Sequence, residues 1–175
     1  MTVATTTGRP SADEHSAYYG RYIDRVPDGD LVAILREQIA GTAALLRDAP
    51  SDRADFKYAP GKWTLKQVVG HLIDVERVMS YRALRFSRSD TTELPGFDDN
   101  QWVANANFGE RTLPDLVDEY EAVRSATVHL AKHLDADALV RRGTANGQGA
   151  SVRALLYIIA GHELHHLALI RERYL

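Results

Sequence analysis

Apolar residues recur at helical spacing in four long stretches of this chain, and no stretch shows the alternation that a half-buried strand requires. Leu31, Ile34, Leu35, Ile39, Thr42, Leu45 and Leu46 line one face behind Asp30, an N-cap, and ahead of Pro50. After a Pro60-Gly61 turn, Thr64-Leu65-Lys66-Gln67 forms a capping box that opens a second helix over 65–87. Thr112-Leu113-Pro114-Asp115 supplies an N-cap, a tolerated first-turn proline and an acid for the helix dipole, opening a third helix to about Leu134. Ser151 caps a fourth, which runs nearly to Leu175. Four amphipathic helices without a strand predict an all-α four-helix bundle.

The connections divide the chain further. Residues 1–12 hold little to bury and read as a disordered, dispensable tail, leaving 13–175 as a single bundle domain. Between Ser87 and Glu110 the periodicity stops and Pro95, Gly96, Asp98, Asp99, Asn100 and Gly109 gather, with Trp102 and Phe108 as anchors and a helical turn expected around Trp102. This connection is long enough to cross the bundle end, so the direction of the third helix stays open. Gly143, Gly147 and Gly149 mark a connector that lacks both the Lys-Ser/Thr of a phosphate-binding loop and the spacing of a dinucleotide fingerprint.

Composition removes several function classes. With 21 Lys+Arg against 24 Asp+Glu, the net charge is -3, and no broad basic face exists to meet a nucleic-acid backbone. No apolar run approaches the roughly 18 residues of a membrane span, which points to a cytoplasmic protein with no membrane partner. The absence of cysteine excludes disulfides, thiolate metal sites, iron–sulfur clusters and a cysteine nucleophile within the chain.

That leaves seven histidines as the notable reactive groups. On the fourth helix the apolar stripe is Leu155, Ile158, Ile159, Leu169 and Ile170, and His162 and His166 fall near its centre, roughly 40° apart. Two inward imidazoles are costly unless their donors and acceptors are met, and a metal meets them well; buried carboxylates or water are the alternative. His71, beside the second helix's stripe among Val68, Val75 and Val78, is the natural third ligand. Three imidazoles with open positions suit Zn²⁺, Ni²⁺ or a similar divalent ion. His129 and His133 share the i,i+4 spacing but fall off the stripe of Leu116, Tyr120, Val123, Thr127, Leu130 and Leu134, and read as solvated.

His162-Glu163-Leu164-His165-His166 reads literally as the HExxH of zinc peptidases, in which the glutamate is a general base. Such enzymes take a third ligand downstream, and the nine residues after His166 contain no histidine. Glu163 lies roughly 100° around the helix from His162, so a supporting role is as consistent with its position as a base. A di-iron site would need a second Glu-x-x-His, which is missing.

The segments YAPGKWTLKQVVGHLIDVERVMSYRALRFSRSD, LPGFDDNQWV and SVRALLYIIAGHELHHLALIRERYL together resemble the DinB-like superfamily, in particular its YfiT-type metal-dependent branch, across about residues 18–175. The resemblance implies a divalent metal held inside a four-helix bundle by His71, His162 and His166, the same three histidines that helical geometry brings together. It also implies a homodimer and a small-molecule substrate. Related branches transfer low-molecular-weight thiols such as bacillithiol, mycothiol or glutathione onto electrophiles, and others are described as hydrolase-like. The expected function is therefore a metal-dependent enzyme activating either a thiol, as an S-transferase, or a water, as a hydrolase. The alternative is a non-catalytic, stress-related metal-binding bundle. Glu163 and His165 are candidate catalytic groups, Asp74, Glu76 and Arg173 candidate supporting groups with Glu76 and Arg173 as a possible buried pair, and Asp98, Asn100 and Trp102 the expected pocket rim.

Overall fold

The computed structural model describes residues 8–175. Its elements are α1 (Ala17–Ile23), α2 (Leu31–Arg47), α3 (Leu65–Ser87), α4 (Asp99–Asn105), α5 (Leu113–Ala131), α6 (Ala136–Val140), β1 (Arg142–Ala145), β2 (Gln148–Ser151) and α7 (Val152–Arg173), with short 3-10 turns between. The bundle is α2, α3, α5 and α7, and every cap expected of these four helices is made. Asp30 accepts from Val32 N, Thr64 from Gln67 N, Thr112 from Asp115 N and Ser151 from Ala154 N.

Contacts between helices settle their directions. Lys66 near the start of α3 donates to Gly109 O, just ahead of α5, while Glu76 farther along pairs with Arg124, so α3 and α5 run parallel. Gln38 reaches Ala160 O and Thr42 reaches Glu163, so α2 and α7 also run parallel. Tyr174 OH donates to Trp63 O, placing the end of α7 at the start of α3. Residues 88–112 must therefore travel back along the whole of α3, roughly 34 Å for a helix of its length. That return strand carries α4 past the bundle's flank.

One expectation needs correction. The glycine-rich connector contains a hairpin, β1 pairing antiparallel with β2 around Asn146 and Gly147, both at positive φ (53° and 69°). Asn-Gly is the strongest short hairpin signal, and it stood in the sequence. The hairpin also receives the return strand, because Leu94 N donates to Thr144 O at 3.0 Å and Leu94 O accepts from Asn146 N at 2.9 Å. Of the expected 1–12 tail, residues 1–7 lie outside the described residues and the rest is described. Pro10 is buried, and Arg9 donates to Ile23 O and Val26 O at 2.7 and 2.6 Å, which ties the segment across the end of α1.

The apolar interior falls into two clusters. One gathers Leu35, Val75, Met79, Phe86, Leu155 and Ile158, the other Leu46, Leu65, Val69, Leu116, Leu167 and Ile170. A polar layer separates them at the level of His71 and His162. Glycines adjacent to both histidines permit close packing there. A Cβ on Gly161 would lie 2.0 Å from Tyr22 O and one on Gly70 would lie 2.5 Å from the Phe108 ring. Tyr22 O is backbone and cannot swing aside, so Gly161→Ala should cost about 1–3 kcal/mol by pushing α1 off α7. Denaturant melts of this variant check the expectation; an unchanged midpoint would show that α1 is not packed as described.

Candidate metal centre

His71 comes from α3 and His162 and His166 from successive turns of α7, and their Nε2 atoms converge. His162 Nε2 lies 3.1 Å from His71 Nε2 and 3.1 Å from His166 Nε2, and one ligand atom from each lies within 4.8 Å of the others. All three side chains are buried. A ring nitrogen offers either one N–H or one lone pair in its plane, so His162 Nε2 cannot hydrogen-bond to both neighbours. A shared cation satisfies all three lone pairs at once. Two nitrogens about 2.0–2.1 Å from one Zn²⁺-like ion lie roughly 3.0–3.4 Å apart, so the spacing fits a divalent ion.

Electrostatics agree with neutral, ligand-competent rings. Burial pushes His71 down to about 4; burial with His71 and His165 nearby pushes His166 down to about 3; burial with His166 and His71 holds His162 well below its ordinary value. The unfolded chain takes up these protons near pH 6.5, whereas folded His71 does so only near 4, so the unfolded state binds more protons in between. Stability of the metal-free protein is therefore full above about pH 6.5 and falls as pH drops toward 4, by on the order of 3 kcal/mol from His71 alone. Denaturant melts of chelator-treated protein at about pH 7 and about pH 4.5 measure this slope. A flat profile would mean the rings are solvated.

The rings are held from several sides. Trp63 packs on His71 with ring centroids 4.8 Å apart, and Tyr22 meets His162 edge-on at 5.2 Å. Asp99, at the start of α4, places Oδ1 3.6 Å from His71 Nδ1. At 3.6 Å this is longer than a direct hydrogen bond, so the carboxylate stands beside the far nitrogen of His71 without being bonded to it. The span Asp98 to Trp102 is the rim expected from sequence, and within it Asp99 is the residue that lines the cleft. Asp98 instead caps α4 by accepting from Gln101 N, Asn100 lines a separate hollow behind His166, and Trp102 packs on Phe97. The capping role of Asp98 was the available clue, since it places the next acid on the first turn.

Glu163 does not face the histidines' convergence point. Its Oε1 accepts from Tyr120 OH at 2.7 Å and from Thr42 Oγ1, and its Oε2 sits 2.5 Å from Arg124 Nη1. Arg124 Nε also donates to Glu76 Oε1 at 2.7 Å and Nη1 to Gln38 Oε1 at 2.9 Å. Burial opposes the Arg124 charge, but Glu76 and Glu163 outweigh it and hold the guanidinium firmly protonated. Glu76 is thus paired with Arg124; the pairing with Arg173 is not made, because Arg173 is exposed and meets Glu172. Asp74 is half-buried next to Trp102 and Asn105, in a depression apart from the histidines. His165 stays outside the cluster, edge-on to Tyr22 at 5.5 Å, and His129 and His133 are exposed.

A cleft of about 400 Å³ opens beside His71 and His162, lined also by Tyr18, Tyr19, Tyr22, Arg82, Phe97 and Asp99. Comparison with known families now places the chain, because residues 34–170 match the DinB superfamily. The chain belongs to the DinB superfamily. Within that superfamily the fold resembles YfiT from Bacillus subtilis, described as a probable metal-dependent hydrolase with an unusual four-helix bundle topology, at TM-score 0.70 and 20% identity over 81% of this chain and 82% of that one. A mycothiol-dependent maleylpyruvate isomerase aligns at TM-score 0.66 and 13% identity over 83% of this chain but 61% of its own. A DinB-like protein of Bacillus subtilis, YjoA, aligns at TM-score 0.57 and 19% identity over 82% and 91%. No curated protein sequence matches. Among the described residues of this DinB-superfamily chain, no helix is long and apolar enough to cross a membrane.

Proposed function

We propose that this chain is a metal-dependent enzyme acting on a small molecule, with His71, His162 and His166 as the ligands of a divalent ion such as Zn²⁺ or Ni²⁺. The observation that carries the reading is the double contact at His162 Nε2, which no pattern of hydrogen bonds satisfies. A divalent ion supplies Lewis acidity that brings a thiol or water nucleophile into its reactive form near neutral pH. Asp99 stands behind His71, and Tyr22 and Trp63 keep bulk water off the rings.

Between the two nucleophiles, the placement of Glu163 favours a thiol. Attack by water ordinarily uses a neighbouring base, and Glu163 is ion-paired to Arg124 and accepts from Tyr120 and Thr42 through Oε1. A thiol bound to a cation is deprotonated outright and needs no such base. With no cysteine in the chain, the thiol comes from a small cofactor of the mycothiol or bacillithiol kind. Hydrolysis is the second reading, and Asp99, whose carboxyl is pushed up by burial and then by Asp98, is the acid in the cleft available to it.

Cobalt-substituted protein tests the choice. Addition of a low-molecular-weight thiol should produce a sulfur-to-cobalt charge-transfer band, and the same protein should conjugate that thiol to an electrophile such as chlorodinitrobenzene. Ester or amide cleavage without any thiol response would favour hydrolysis, and neither activity in fully metal-loaded protein would favour the non-catalytic bundle.

A further inference from the structure

The cleft holds a second chemical landmark, far from the histidines, that nucleophile activation does not use. Arg82 follows His71 by eleven residues on α3, a spacing that returns to within roughly 20° of the same face and rises about 16 Å. Val75 and Met79 form the apolar floor between them. Arg82 is 4% exposed. Nη2 donates to Pro95 O at 2.8 Å, Nη1 lies 3.8 Å from Met79 Sδ, and the guanidinium sits 5.8 Å from the Phe97 ring centre. Tyr19 contributes a hydroxyl. Arg124, equally buried, has two carboxylates; among the described residues no carboxylate lies within ion-pair distance of Arg82.

A guanidinium does not give up its proton, and an unpaired buried cation is costly enough that native structures pair it. At Arg82 the unmatched charge borders an open cleft, so the missing partner is one that arrives by that route. Pro95 O occupies one donor, and the remaining fork matches an oxyanion in bidentate geometry. Asp99 stands at the His71 end, where its negative charge turns an acidic ligand's charged end toward Arg82.

We propose that Arg82 is the recognition residue for a substrate carboxylate: the cleft takes an elongated, largely apolar acid whose carboxylate pairs with Arg82 while its other end reaches His71 and His162. The second half of that statement rests on the metal-dependent reading above; the first half does not.

The test is calorimetric titration of 4-phenylbutyrate and of its neutral amide into wild-type protein and Arg82→Gln, each metal-loaded and chelator-stripped, with metal content measured in parallel. Glutamine keeps a polar, neutral end and deletes the charge, and its amide stops two bonds short of the Nη2 that meets Pro95 O. Wild-type protein should bind the acid at least tenfold more tightly than the amide in both metal states, and Arg82→Gln should bind them equally. The variant loses an unpaired buried charge together with the bond to Pro95 O, so its melt is read only against its own ligand-free baseline, and the acid should raise the melting temperature of wild type alone. An acid preference that persists in Arg82→Gln, or appears only when metal is bound, would assign the carboxylate to the ion and overturn the proposal while leaving the metal reading intact. Equal binding of acid and amide by wild type also overturns it. Absence of metal uptake with the acid preference still lost in Arg82→Gln would sink the metal reading and leave Arg82 as an anion site.

Discussion

Tag-free protein reconstituted with Zn²⁺ or Ni²⁺ should carry close to one ion per chain, and alanine at His71, His162 or His166 should remove it. His162→Ala is expected to have the largest effect, because its Nε2 is the atom the other two rings share. Loss of one of three ligands lowers affinity by orders of magnitude, whereas His129→Ala, on the exposed face of α5, should leave metal content unchanged. Metal mass spectrometry reads the occupancy, and thermal melts separate two roles for the site. A catalytic centre should leave folded metal-free protein that gains roughly 4 kcal/mol at a thousandfold excess of ion over its dissociation constant. A structural centre should unfold without the ion, since binding energy would then be folding energy. Full occupancy in His162→Ala would mean that these histidines are not the ligands.

The second large effect belongs to Arg124. It is 1% exposed and holds both Glu76 and Glu163, so Arg124→Ala leaves two buried carboxylates without a counter-charge. Breaking a buried pair by removing one partner costs about 3–5 kcal/mol, and here the arginine serves two acids, so the variant should be unfolded or barely folded at room temperature. Circular dichroism and denaturant titration measure the loss. Glu163→Gln is the informative companion, since it keeps the acceptor for Thr42 and Tyr120 and removes one charge. If Glu163 serves the polar layer, this variant lowers stability while metal-loaded turnover stays within a few-fold of wild type. Loss of turnover by several orders of magnitude at unchanged stability would instead make Glu163 the base that its HExxH context suggests. Glu76→Gln, read in the same way, separates support of Arg124 from any contribution to the metal.

The HExxH string shows where local pattern stops being informative. Helical angle alone places Glu163 about 100° from His162, and that much holds, since the two residues face different neighbours. What lies opposite Glu163 depends on the axial level of α2 and α5, and no periodicity within α7 encodes that. The same gap produced the Glu76–Arg173 pairing: Glu76 is buried against Arg124, whereas Arg173 is exposed at the end of α7 and meets Glu172. The approach of Asp99 to His71 and the isolation of Arg82 were not legible for related reasons. Asp99 reaches His71 only because the return strand lays α4 against the flank of α3, and Arg82 is notable only for the acid it lacks, which requires knowing every neighbour.

By itself, the sequence determined the four bundle helices, their caps and the inward direction of His71, His162 and His166, because capping and helical periodicity act over a few residues and one turn. The Asn146-Gly147 hairpin was equally local and readable. The tertiary structure alone decided that α5 runs parallel to α3, that the three Nε2 atoms meet, that Glu163 is bound to Arg124 and that Arg82 is left uncompensated. Those are matters of register between helices, set by how separate surfaces pack, and packing joins residues that are distant in the chain.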